Sequence, residues 1–106
     1  MKIQTYGPYV NQELTTASNL NVSGPIENMA LVASAATGTL NMDATTSTFL
    51  YYTTAATGNF TLNVRGNAGT TLNSLLAVGQ SISVVLLVTN GSSAYYLSGV
   101  QIDGSG

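Results

Sequence analysis

The sequence contains no histidine, cysteine or tryptophan, and only two prolines among its 106 residues. Without histidine or cysteine, a chain cannot form a Ser-His-Asp triad, a thiol nucleophile, a disulfide or the common zinc sites. These absences argue against an enzyme. We therefore expect no catalytic residues, no cofactor-binding residues and no metal ligands.

Charge is also scarce, because charged residues make up 6% of the chain, against about 25% in ordinary soluble domains. The net charge is −2, from the bases Lys2 and Arg65 and the acids Glu13, Glu27, Asp43 and Asp103. Two bases cannot form the positive surface that nucleic-acid binding requires. We expect no nucleic-acid partner.

The residues that are abundant are neutral. Hydrophobic residues account for 44% of the chain and the mean hydropathy is +0.25, which is enough apolar material for a core. The polar surface must come mainly from 15 threonines, 11 serines and 10 asparagines, with 11 glycines for turns. This mixture is typical of β-rich extracellular, surface or virion proteins.

No membrane or export segment is visible in the sequence. No apolar run is longer than that of residues 84–88, which is far shorter than the roughly 20 residues needed to cross a bilayer. The first ten residues lack the apolar core of a secretory signal. We expect no membrane insertion, and either export as part of an assembled particle or a leader that has been removed.

Residues 1–25 differ from the rest of the chain. Two breakers, Gly7-Pro8 and Gly24-Pro25, flank apolar residues that show no sustained period. We interpret this segment as an extended arm, either a flexible terminus or an anchor that orders on a neighbouring subunit. The aromatic pair around Pro8 favours the anchor, whose candidate residues are Tyr6, Pro8, Tyr9 and Val10.

Residues 26–106 show the pattern of a β domain. Predicted strands cover residues 26–33, 39–43, 46–53, 59–65, 81–89 and 94–102. The clearest places Phe60, Leu62 and Val64 on one face. The continuous apolar run within residues 81–89 predicts a central strand buried on both faces, and Asn90-Gly91 predicts a hairpin after it.

One segment breaks the strand pattern. Leu72, Leu75 and Leu76 follow helical spacing, which predicts a short helix within residues 71–78. The whole pattern predicts a compact antiparallel β-sandwich, jelly-roll-like, with one short helix.

The tetrapeptide Ala-Ala-Thr-Gly recurs at residues 35–38 and 55–58. Since its 20-residue period does not continue, we interpret it as turn usage.

The last four residues, Asp-Gly-Ser-Gly, form a turn signal with no strand after it. The final strand of a sandwich would then lack a neighbour, and an unpaired edge invites another chain. We expect that either the native chain continues past Gly106 or a partner supplies the missing strand.

Residues 51–104 resemble a block found in structural, tail-fibre-like virion proteins of tailed bacteriophages, especially marine and cyanobacterial ones. The resemblance rests on the order and spacing of the segments LYYTT (50–54), FTLNVRGN (60–67), TLNSL (71–75), GQS (79–81), VTNG (88–91), YY (95–96) and QIDG (101–104). It implies a virion location and a structural role. Such proteins continue beyond the Asp-Gly-Ser turn into further strands, and this chain departs from them by stopping there.

Two tyrosine pairs stand out as candidate contact sites. Adjacent strand residues point to opposite faces, so each pair places one ring inward and one outward. We take Tyr52 and Tyr96 as the outward rings, available to a neighbouring subunit or a host glycan. Asp43 and Asp103 lie at strand ends, where aspartate commonly shapes turns. We weigh them less as a glycosidase pair or as calcium ligands.

Arg65, the only base in residues 26–106, is either a solvated strand-end side chain or half of an ion pair across a subunit seam.

These observations predict a non-enzymatic bacteriophage virion protein. Residues 1–25 would attach it to capsid or tail proteins, and residues 26–106 would form part of a fibre, as a homotrimer. The alternatives are a capsid decoration protein, a carbohydrate-binding module acting on host glycans, and an extracellular filament subunit joined by donor-strand exchange.

Overall fold

The computed structural model describes residue 19 and residues 21–106 of the chain. The predicted anchoring residues Tyr6, Pro8, Tyr9 and Val10 lie outside this part. The described residues form six strands and one helical turn, which in chain order are β1 (Ala30–Ala35), β2 (Gly38–Asp43), β3 (Phe49–Thr54), β4 (Phe60–Arg65), α1 (Leu72–Leu75), β5 (Val85–Val88) and β6 (Leu97–Ile102). The predicted all-β class with one short helix is confirmed.

The strands alternate between two three-stranded sheets. One sheet has the order β1-β3-β5 and the other the order β2-β4-β6, and all four pairings within the sheets are parallel. The chain therefore winds as a coil that lays one strand in each sheet per turn. We call β1–β2, β3–β4 and β5–β6 the first, second and third coils of this two-sheeted β-solenoid.

The predicted antiparallel pairing is wrong. Short connectors between strands usually form hairpins, but here each short connector crosses from one sheet to the other. Asn90-Gly91 illustrates the difference, because it follows β5 in one sheet and leads to β6 in the other. The Asn90 amide nitrogen donates to the Tyr95 carbonyl at 3.0 Å, and its oxygen accepts from the Tyr95 N–H at 3.2 Å. These bonds shape a loop in place of a hairpin.

The repeated Ala-Ala-Thr-Gly is a structural repeat, contrary to our interpretation of it as turn usage. It forms the corner between the sheets in the first and second coils, and the two copies stack. Ala36 and Ala56 are both buried, and the Thr57 N–H donates to the Ala36 carbonyl at 3.1 Å. The third coil lacks the motif because its corner is the larger loop of residues 89–96.

Both sheets contribute to one core, which lies between them. The sheet β1-β3-β5 supplies Leu50 and Tyr52, while β2 and β4 supply Leu40, Met42, Phe60, Leu62 and Val64. Buried Leu72 of α1 belongs to the same cluster. The predicted apolar face of Phe60, Leu62 and Val64 is thus confirmed. Its position in the middle strand of its sheet explains why it is so well covered.

Most elements are shorter than predicted, and the difference is largest for β5 and α1. The run within residues 81–89 forms a strand only at Val85–Val88, and β5 lies at the edge of its sheet with Val85 and Leu87 each 42% exposed. The expectation of a central strand buried on both faces is therefore wrong. The helix is a single turn, capped where the Thr71 hydroxyl accepts from the Ser74 N–H at 3.1 Å.

Among the described residues, no helix has the length and hydropathy to cross a membrane.

Gly66 provides a test of this packing, since it lies where β4 leaves its sheet. A Cβ at this position would be 2.7 Å from the Thr70 carbonyl oxygen and 2.9 Å from the Thr70 methyl group. Because the closest atom belongs to the backbone, Gly66→Ala should lower the free energy of unfolding by about 1–3 kcal/mol. Urea denaturation of the full chain measures this change.

Gly69→Ala is the matched control, because the nearest atom to its added Cβ would be 3.9 Å away. Equal stabilities of the two variants would contradict the close approach at Gly66.

Candidate functional site

The outer face of the sheet β2-β4-β6 carries a ladder of three pairs of polar side chains. In each pair, the two hydrogen-bonded residues are 22 positions apart in the sequence. The Asn63 amide donates to the Asn41 oxygen at 2.9 Å, and the Arg65 Nε donates to Asp43 at 2.7 Å. Where the strands end, the Asn67 amide donates to the Thr45 hydroxyl at 3.3 Å. These six residues form what we call the polar ladder. It follows from the parallel register, which places Asn41 beside Asn63 and Asp43 beside Arg65.

Asn63 is the centre of the polar ladder and the only polar residue among the buried ones of the described chain. Its oxygen accepts a hydrogen bond from the Gly104 N–H at 2.8 Å, while its amide serves Asn41. Asn63 therefore connects the first coil to the turn that follows β6. A buried polar side chain is tolerated when such partners satisfy it.

Replacing Asn63 should be costlier than replacing its exposed partner. Asn63→Ala leaves the Gly104 N–H without its acceptor in a partly buried position, so we expect a loss of about 1–3 kcal/mol in the free energy of unfolding. Asn41→Ala removes one partner of the same bond at an exposed position, where water can replace it. Urea denaturation of both variants should give the larger loss for Asn63→Ala, and the reverse order would contradict the central role of Asn63.

The two strand-end aspartates have structural partners. Asp43 pairs with Arg65, and both side chains are partly exposed, at 35% and 27%. Asp103 has a positive φ of 52°, which aspartate tolerates better than most residues. Its two carboxylate oxygens accept from the Leu72 N–H at 2.6 Å and the Asn73 N–H at 3.1 Å. Asp103 thus shapes a turn, as expected, and also holds α1 against the end of β6.

Neither expectation for Arg65 matches the structure, because its side chain forms an ion pair, and the partner, Asp43, belongs to the same chain and does not lie across a subunit seam. Beside Arg65, an open cleft of about 350 Å³ is lined by β4, by the loop before α1 and by the turn after β6. Its lining includes Arg65, Asn67, Thr70 and Asp103, so it presents amide and hydroxyl groups with one guanidinium and one carboxylate. Within residues 19 and 21–106, no cluster of three or more His, Cys, Asp or Glu side chains is present.

The tyrosine pairs divide differently from the prediction. Tyr52 is 8% exposed and belongs to the core, so it is not available as an outward contact, and that prediction is wrong. Leu50 and Tyr52 share the inward face of β3, which leaves Tyr51 on the outer face. In the second pair Tyr95 packs against the core, whereas Tyr96 is 63% exposed, as expected. A contact made by Tyr96 stays a prediction.

Burial raises the pKa of the Tyr52 phenol above its usual 10.0. In the unfolded chain this phenol ionises near the usual value, while in the folded chain it keeps its proton to higher pH. The contribution of Tyr52 to the free energy of unfolding is therefore fully present below about pH 10, and it decreases as the pH rises toward the folded-state pKa. We expect Tyr52→Phe to show a smaller loss of stability than the unmodified chain between pH 9 and about pH 11.

Urea denaturation across this pH range measures the difference, and Tyr96→Phe is the control at an exposed tyrosine. Identical pH profiles for the unmodified chain and Tyr52→Phe would contradict the assigned effect of burial.

The outer face of the other sheet is apolar. In register, Leu31 of β1 lies beside Tyr51 of β3, and Tyr51 lies beside Leu87 of β5; Phe49 of β3 lies beside Val85 of β5. We call these five residues the apolar outer face. Sequence reasoning missed it, although the signal was present: residues 84–88 are apolar at every position. We interpreted that run as a strand buried on both faces.

Among the described residues, no further coil stacks on the third coil. Val100 and Ile102 of β6 lie beside Leu62 and Val64 of β4, and therefore point toward the core. They are 53% and 54% exposed, whereas Leu62 and Val64 are each 5% exposed. Within the described residues, no strand pairs with the outer edges of β5 and β6. We call this surface, with Leu97, the open end.

Comparison of the chain with protein-family models, with curated proteins and with solved structures finds no match. The resemblance to tailed-phage structural proteins stays a prediction.

Proposed function

We propose that this chain is a structural subunit of a bacteriophage particle, part of a fibre that is attached through residues 1–25. In this proposal it has no catalytic activity and works as a homo-oligomer, which we take to be a trimer, in contact with capsid or tail proteins. Its two facing sheets act as the two layers of a sandwich-like unit. The observation that carries the proposal is the open end.

The open end combines two features that favour association. The edge of β5 and the edge of β6 before Ile102 pair with no strand among the described residues, so they can bind another strand by continuing the sheet. At Ile102 the edge of β6 is already bonded, because its backbone N–H and carbonyl exchange hydrogen bonds with Ser105. The inward-facing side chains of β6 are about half exposed, although their neighbours in β4 are covered. A strand placed on this end would pair with the sheet edge and complete the core in one step. Association with another subunit at this surface would therefore be favourable, which supports a role in assembly.

The polar ladder supports the same role. Its bonds join one coil to the next through neutral amides, one hydroxyl and a single ion pair. Neutral hydrogen bonds depend little on ionic strength, whereas exposed ion pairs are weakened by salt. Such a surface suits a particle that must persist in changing surroundings.

The open end also favours one alternative, an extracellular filament whose subunits exchange strands. A carbohydrate-binding module is favoured only by exposed Tyr96, since an exposed aromatic ring can stack on a sugar.

The oligomeric state of the purified full chain tests the proposal. Light scattering should give a mass near three times the 10.9 kDa of one chain, because the open end and other apolar surfaces are then covered by neighbouring copies. Val100→Lys should reduce this mass, since it places a charge on the open end at a side chain that is already half exposed. Thr39→Lys, on the polar outer face of β2, is the control.

A well-folded monomer at all concentrations would contradict the proposal. If that monomer bound to a glycan array and the Tyr96→Ala variant did not, the function would be that of a carbohydrate-binding module, and the proposal of a virion subunit would be wrong. The virion assignment has its own test, because the flanking genes should encode portal, capsid or tail proteins. Neighbouring genes of an unrelated cellular pathway would contradict it.

A further inference from the structure

We propose that the apolar outer face (Leu31, Phe49, Tyr51, Val85 and Leu87) is the contact surface for a second copy of this chain, with the two solenoids side by side. This inference rests on the proposed function as a self-assembling subunit. It names a surface that is separate from the open end.

The first argument is the contrast between the two sheets. Each sheet is apolar on its inner face, but only β1-β3-β5 is also apolar on its outer face. There Leu31 is 67% exposed, and Val85 and Leu87 are each 42% exposed. At comparable positions the other sheet has Asn41, Asn63 and Gln101, which are in register with one another. A low-charge composition alone would not separate the two outer faces in this way.

The second argument concerns charge. The described residues include four charged side chains, at Glu27, Asp43, Arg65 and Asp103, and none belongs to the apolar outer face. Asp43 and Arg65 lie at the ends of strands in the opposite sheet and are paired with each other. A charged partner would therefore lose its hydration without gaining an ion pair. The same neutral face on another copy meets no such cost and no like-charge repulsion.

The third argument is the size of the face. Two strands of six residues and one of four, about 4.8 Å apart and rising about 3.3 Å per residue, present about 250 Å². Two copies would then bury about 500 Å² in total, which is well below the roughly 1,200 Å² of a standard stable interface. The face alone should hold two copies only weakly. It becomes effective when another contact already keeps the copies together, because tethering raises the effective concentration.

The absence of cysteine from the chain makes this contact directly testable. A single cysteine is introduced in the full chain, either as Leu31→Cys on the apolar outer face or as Thr39→Cys on the polar outer face. Both positions are exposed and both lie in the first coil. Each variant is treated with a short bis-maleimide, and covalent dimers are quantified over time by denaturing electrophoresis.

We expect dimers to form about tenfold faster with Leu31→Cys than with Thr39→Cys at equal protein concentration. Adding Leu87→Lys to Leu31→Cys should remove this advantage, because two lysines would then face each other or an apolar surface. Circular dichroism checks that the double variant stays folded. Equal rates for the two single-cysteine variants would overturn the proposal, as would an advantage that survives Leu87→Lys in folded protein.

The outcome is separable from that of the proposed function. If the full chain is oligomeric by light scattering but Leu31→Cys shows no advantage, the contact face is wrong and the structural role stands. If the full chain is monomeric by light scattering, the proposed function fails, while a faster reaction of Leu31→Cys at high concentration would still support the contact face.

Discussion

Parallel stacking in register is the constraint on which this structure depends. Each strand pairs with the strand of the next coil, so most side chains have a neighbour at the equivalent position one coil away, except at the register shifts near Val32 and Phe60. Like residues then meet, as Asn41 meets Asn63 and Leu40 meets Leu62. The polar ladder and the apolar core are both consequences of this arrangement. A neutral amide can meet its own kind through a hydrogen bond, whereas a column of equal charges would repel. The scarcity of charge in the sequence suits such a fold.

A stack of coils has sides and ends, and the two have different consequences for association. At the open end, Val100 and Ile102 lack the cover that Leu62 and Val64 receive from strands on both sides. On its sides, one sheet presents hydrogen-bonding groups and the other presents apolar rings and branched side chains. The proposed functions of these surfaces share a physical basis, because each would bury apolar area that a single copy leaves in water. They differ in geometry, since the end favours strand addition and the side favours packing of faces.

Much of the local structure could be predicted from the sequence, because alternation with a period of two depends only on neighbouring residues. The β4 strand, with Phe60, Leu62 and Val64 on one face, shows this most clearly. The choice of partner strand could not be predicted in the same way. Short connectors suggested hairpins, but Ala36 and Ala56 are small enough to be buried at corners where the chain changes sheets. The repeat that contained them was the signal for coiling, and the insertion of residues 66–84 interrupted its period.

The sequence by itself determined the class of the fold, the approximate positions of its strands and the neutrality of its surface. The tertiary structure alone decided which face is covered in a strand such as β3, which has large apolar side chains on both faces. Alternation separates Tyr51 from Tyr52 but does not say which of them meets the core, and only the facing sheet places Tyr52 inside. The tertiary structure also brings Asp103 to the start of α1, which lies some 30 residues earlier in the chain. Burial depends on residues that are distant in sequence, and a local pattern carries no information about them.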